Sequence, residues 1–157
     1  MYHIEYFYPY YFFFCSGDWS SSIQYYQEAL RVDAECSEAL YNLGIACKRV
    51  DRKEDALESF IKLHQIQRTN PQVMFMIADV YRLMGDTSAA VEWLQQALSV
   101  SHNDPKLLQE LGAIFDNEGD KSSAFQVLQK IIFFSIFLST TTTRINFILV
   151  ISARLNG

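Results

Sequence analysis

Residues Ser37–Asn70 read SEALYNLGIACKRVDRKEDALESFIKLHQIQRTN, and this row decides the fold. Within it Leu40, Leu43, Gly44 and Cys47 follow the i, i+3, i+4, i+7 rule, and so do Ala56, Leu57, Phe60 and Leu63. Each set is the apolar stripe of one amphipathic helix. Asp51 lies between them at a turn. Two helices joined by a short turn pack antiparallel, and the residues where they cross must be small, because helix axes about 8–10 Å apart leave no room for bulk. Gly44 and Ala56 are the small residues, and Phe60 is the large one that fills the gap beside them.

Working outward, the row recurs every 34 residues without a gap, as Pro71–Asp104 and Pro105–Leu138, and a half row precedes it from near Gly17. Counting Ser37 as the first slot, the eighth holds Gly44, Ala78 and Gly112, and the twentieth holds Ser22, Ala56, Ala90 and Ala124. Leu40 and Leu43, Met74 and Ile77, and Leu108 and Leu111 repeat as apolar pairs, while the eleventh slot holds Cys47, Tyr81 and Phe115. The twenty-fourth is Tyr26, Phe60, Leu94 and Leu128, and the turn slot is Gly17, Asp51, Gly85 and Gly119. Asn70-Pro71 and Asp104-Pro105 each place a capping side chain before a proline at the first helical position. Gly85 and Gly119 close the first helix of their rows. The expected fold is all-α, a helical-hairpin solenoid of about seven antiparallel helices. Its repeat-packing residues are Leu40, Leu43, Gly44, Ala56, Phe60, Ala78, Tyr81, Ala90, Gly112 and Ala124.

The periodicity also sets the expected domain limits. The array spans 17–138, as a half repeat 17–36 and repeats 37–70, 71–104 and 105–138, with flanks at 1–16 and 139–157. Residues 2–15 carry nine aromatics in fourteen positions and one charge, Glu5. In register, Pro9 would fall inside a helix, where proline costs about 3 kcal/mol. Residues 131–157 contain no acidic residue, and Arg144 interrupts their apolar stretches, against a membrane span. The N-terminal stretch lacks the basic start of a signal peptide. Both flanks read as sequence foreign to the fold, as from a gene model running past exon ends, and the array reads as part of a longer one, since solenoids end in polar capping repeats.

Across 157 residues, 13 basic against 18 acidic side chains give a net charge of −5, the wrong sign for a nucleic-acid footprint. Three cysteines do not make a disulfide framework and suit a reducing compartment.

The 34-residue pattern resembles the tetratricopeptide repeat, W-x2-L-G-x2-Y…A-x3-F…P. In Ser37–Asn70 the match runs L-x2-L-G-x2-C…A-x3-F, with Leu40, Cys47 and Arg68 in place of the tryptophan, tyrosine and proline. The wording of Asp18–Asn42, DWSSSIQYYQEALRVDAECSEALYN, together with Ala56–His64, Ile77–Ala78 and Ile114–Ala124, is similar to the repeat region of the intraflagellar transport protein 88 (Polaris) family. The likeness covers residues from Gly17 to near Lys130. It implies a scaffold subunit of transport complex B in cilium biogenesis, with other complex B subunits as protein partners, at the cilium and basal body and in the cytoplasm. That family does no chemistry, so no catalytic residue carries over.

The residues themselves agree. His3, His64 and His102 are not at ligand spacing, and Cys36 and Cys47 form no metal motif. Cys47 reads as a small buried hydrophobe, and His64 as a satisfied core or groove histidine. Glu54, Asp55 and Glu58, near Arg52 and Lys53, read as a solvated face with helical ion pairs. No phosphate loop and no nucleophile beside a base is present. Catalysis, cofactors, metals and small-molecule substrates are therefore not expected.

In this architecture the first helix of each repeat lines a groove through its second, fifth, ninth and twelfth slots. The expected partner contacts are Tyr41, Ile45 and Lys48, then Phe75, Asp79 and Arg82, then Gln109 and Asp116. The lysine–asparagine clamp of co-chaperone repeats is missing from these slots. The asparagine ladder of the sugar-transferase superhelix is missing from the sixth, which holds Asn42, Met76 and Glu110. The alternatives are a generic adaptor of another assembly, chaperone-linked or cell-cycle, the non-catalytic repeat region of a larger enzyme, or a membrane adaptor anchored by residues 131–153.

Overall fold

A computed structural model describes residues 18–127 and 129. The expectations for 1–17, for Leu128 and for the apolar stretch from 131 onward lie outside the described residues. Six helices are complete: α1 Trp19–Val32, α2 Ser37–Arg49, α3 Lys53–Ile66, α4 Pro71–Met84, α5 Thr87–Val100 and α6 Pro105–Asn117. Residues 121–127 are helical again, and the described residues contain no strand. The chain forms two compact units, one running to Val100 and one from Ser101. The fold class is all-α, built from helical hairpins.

In the first unit each helix packs on its chain neighbours, α1 on α2, α2 on α3, α3 on α4 and α4 on α5. The core follows the small–large register. Phe60 is wholly buried, and its ring occupies the space that a Cβ on Gly44 would need: three ring carbons lie 2.6, 2.6 and 2.9 Å from that position. The same slots one repeat on hold Ala78 and Leu94, both buried. In the second unit Gly112 lies beside Val127, whose Cγ1 would stand 3.5 Å from an added Cβ, an ordinary contact. The expected packing residues are buried except Tyr81, which is half-buried. A tyrosine carries a hydroxyl that favours contact with water at one end of an apolar ring.

The turns are built alike. At the end of α2 the Arg52 N–H donates to Cys47 O at 2.9 Å and the Asp51 N–H to Lys48 O at 3.3 Å. After α4, Asp86 and Gly85 donate to Tyr81 O and Arg82 O at 3.0 and 3.1 Å, and after α6, Asp120 and Gly119 donate to Phe115 O and Asp116 O at 2.9 and 3.0 Å. These pairs satisfy the carbonyls left over at a helix end and need one residue in the left-handed region. Gly85 (φ 85°) and Gly119 (φ 76°) supply it, and Asp51 does so at φ 61° despite its side chain.

The next residue caps the following helix. Asp18 accepts from the Ser21 N–H at 3.1 Å, Asp86 from the Ala89 N–H at 3.0 Å and Asp120 from the Ser123 N–H at 3.1 Å. Hydrogen bonds from the Ser21 and Ser123 side chains, and then from their backbone N–H groups, hold the Asp18 and Asp120 carboxyls below the ordinary carboxylate range. Arg52 occupies the same slot in the middle repeat and makes no cap, pairing instead with Asp55 at 2.6 Å. Asn70 and Asp104 cap α4 and α6 as expected, accepting from the Gln72 and Lys106 N–H groups at 3.0 and 2.9 Å.

Candidate protein-binding groove

The groove slots of the first unit lie on α2 and α4, and an ion triad joins the two helices. Lys48 Nζ donates to Asp79 Oδ2 at 2.7 Å across 31 residues of sequence, and Arg82 Nη2 donates to Asp79 Oδ1 at 2.6 Å. The Asp79 side chain is only 15 % exposed, Lys48 23 % and Arg82 43 %. Burial alone would raise the Asp79 carboxyl, but the hydrogen bonds and positive charges of Lys48 and Arg82 outweigh it and hold the group below its ordinary value. Three of the expected contacts are therefore first of all one another's partners. A spacing rule confined to single helices had no means of showing this.

Tyr41 and Ile45 stand on the same helix as Lys48, and both are half-buried. The Tyr41 ring meets Phe60 edge-on, with centroids 6.2 Å apart, which holds it in place over the core. Phe75 departs from expectation. It is buried, 9 % exposed, and so offers a partner almost no surface. Residues Val73 through Ala78 are all buried, because α4 is flanked by α3 on one side and α5 on the other and hides a wider arc than one stripe. In the second unit Gln109 and Asp116 are exposed on α6.

Away from this face, Cys47 is buried as expected, and burial pushes its thiol pKa up. The acidic face of α3 carries Arg52–Asp55 and Lys62–Glu58 pairs at 2.6 and 2.7 Å. His64 corrects the reading of a satisfied histidine. Its ring packs edge-on against Trp93 at 5.0 Å, and Nδ1 is buried without a hydrogen-bond partner. Burial, then the charge of Arg68, lowers its pKa below 6.5. Among the described residues no cluster of His, Cys, Asp or Glu could hold a metal ion, and no helix is long and apolar enough to cross a membrane.

Two tetratricopeptide repeat family profiles match residues 15–67 and 71–104, together more than half of the chain. The chain carries tetratricopeptide repeats. Solved structures of MamA share the fold: one superposes with TM-score 0.73 over 82% of this chain and 70% of that one at 22% identity, another with 0.70 over 76% and 70% at 23% identity. Among curated proteins, BBSome complex member BBS4 of Bos taurus is 27% identical over 118 residues, 73% of this chain and 22% of that protein. Its Mus musculus counterpart is 26% identical over 105 residues, 65% of this chain and 19% of that one. Human protein O-mannosyl-transferase TMTC1 is 37% identical over 57 residues, 36% of this chain and 6% of its own length. The chain thus spans about a fifth of the length of the BBS4 proteins it matches. Tetratricopeptide repeats are protein-binding scaffolds.

Proposed function

We propose that this chain is a protein-binding scaffold segment of a ciliary transport assembly, of the complex B kind, working at the cilium and basal body. The observation that carries the reading is the wording of Asp18–Asn42, D-W-x3-I-Q-Y-Y-Q-E-A-L-x-V-D, which is far more specific than the generic repeat. Similarity to BBS4, whose name makes it a member of a multi-subunit complex, supports a subunit role. The mechanism is binding. Tyr41 and Ile45 are the apolar anchors on α2, and Lys48, Asp79 and Arg82 are the charged rim beside them, the usual layout of an interface hot spot. Phe75 serves packing. On α6, Gln109 and Asp116 are contacts of their own unit.

The test is affinity capture from ciliated cells with the whole chain as bait. Recovery of complex B subunits, weakened by Tyr41→Ala with Ile45→Ala and by the exposed-site change Arg82→Glu, is the expected result. Circular dichroism confirms that the variants remain folded. Recovery of neither complex B nor a related assembly by the folded chain refutes the proposal. A second reading, a subunit of a BBSome-type complex, is favoured by the 27% identity to BBS4. Recovery of BBSome subunits in place of complex B would establish it.

A further inference from the structure

We propose that a cleft between α1 and α3, floored by Leu40, Leu43 and Cys47 of α2 and lined by none of the groove-slot residues, is a socket for one tryptophan side chain of a protein partner. The repeat supplies its own template for the occupant. Where α3 meets α5, position 28 of one repeat faces position 23 of the next: His64 packs edge-on against Trp93, centroids 5.0 Å apart and planes at 89°. One repeat earlier the same positions hold Leu30 and Ser59. Ser59 is small, and its hydroxyl turns back to donate to Asp55 O at 2.8 Å. The space that an indole fills between α3 and α5 is therefore open between α1 and α3, as a cleft of ≈ 260 Å³.

Its lining fits an indole. Leu30, Leu40, Leu43 and Cys47 are apolar, and Asp55 and Glu58 stand on the α3 wall. A cavity of about 150 Å³ takes benzene, so this one has room for a second ring. Arg52 occupies Asp55 Oδ2 at 2.6 Å and Lys62 occupies Glu58 Oε1 at 2.7 Å. Each carboxylate keeps a second oxygen outside those pairs. The indole N–H is a donor with no acceptor function, which complements the second oxygens of Asp55 and Glu58, beside which Lys62, Arg31 and Gln27 also line the cleft. Phenylalanine brings no such donor, and tyrosine has one at the far tip of a single ring.

The experiment is an NMR titration of the full chain with N-acetyl-tryptophanamide, against N-acetyl-alaninamide as control. Saturable shifts in the millimolar range are expected at Leu30, Cys47 and Ser59 and not around His64, weak because one side chain carries little binding energy. Ser59→Trp places the repeat's own indole in the space and should weaken binding by about tenfold or more. If that variant does not fold, Leu30→Lys, at a half-buried position, serves the same purpose. Absence of saturable shifts overturns the proposal, as does undiminished binding by a folded blocking variant, or equal response to the alanine analogue.

Discussion

Adding one methyl group at the eighth slot should have opposite effects in two repeats. In Gly44→Ala the new Cβ would lie 2.6 Å from two carbons of the Phe60 ring and 2.9 Å from a third. Carbon atoms pack best at about 3.5–4.0 Å, so the overlap is roughly 1 Å against a ring with no exposed surface into which to move. Overpacking of that kind costs about 1–3 kcal/mol. The helix gains roughly 0.5–1 kcal/mol from replacing glycine by alanine, which leaves a net loss of about 1 kcal/mol at mid-range and about 2.5 kcal/mol at most. In Gly112→Ala the nearest side-chain atom, Val127 Cγ1, lies at 3.5 Å, and only the propensity gain remains. That variant should be more stable by about 0.5–1 kcal/mol. The Ala78 and Leu94 pair shows which partner an alanine accepts. Phe60→Leu should therefore recover much of the Gly44→Ala loss, with a favourable coupling of about 0.5–3 kcal/mol in a double-mutant cycle. Urea denaturation followed by circular dichroism measures all four stabilities. Equal signs for the two glycine variants, or a cycle with no coupling, would refute the crossing argument.

Three further outcomes follow from the turns and the triad. Asp51→Gly relieves a left-handed non-glycine residue and should raise stability by about 0.5–1 kcal/mol, since the Lys53–Asp51 pair it removes is 3.3 Å long and exposed; a lower midpoint in urea would contradict this. Asp86→Ala removes a helix cap and should cost about 0.5–2 kcal/mol, while Arg52→Ala at the equivalent slot removes no cap and should cost less, as thermal melts of the pair can decide. Asp79→Asn weakens two bonds to charged donors, at about 1.5–3 kcal/mol. Because its folded pKa lies below the unfolded 3.8, the Asp79 contribution is whole above 3.8 and is lost as pH falls through the folded value, so the gap between native and variant chains should narrow with acid; a constant gap from pH 6 downward would sink the assignment.

Features that depend on one helix and its turn were legible in the sequence. The proline-led starts of α4 and α6, the glycines after α4 and α6, and the Gly44–Phe60 match all follow from spacing within a single row. What was not legible depends on neighbours. Lys48 and Asp79 sit at different slots of different repeats, so no alignment of equivalent positions brings them together. Phe75 occupies a slot that is half-exposed on α2, and only the position of α4 between two other helices buries it. His64 reads as a satisfied core or groove histidine, but its ring neighbour Trp93 comes from the next repeat, and its Nδ1 has no hydrogen-bond partner. The aspartates before α1 and α5 and after Gly119 were a readable signal, because they recur at one slot and only Arg52 breaks the series.

The neighbour-to-neighbour packing of α1 through α5 also bears on how this part of the chain assembles. The principal contacts join helices adjacent in sequence, and the ion pair that reaches furthest among them closes a loop of only 31 residues. Bringing such segments together costs little chain entropy, and proteins dominated by short-range contacts fold in microseconds to milliseconds. A hairpin formed anywhere can seed the next, and opening can begin at one end without dissolving the rest. Native-state hydrogen exchange should then show protection that is graded from helix to helix, with α2, α3 and α4, each held from both sides, exchanging last.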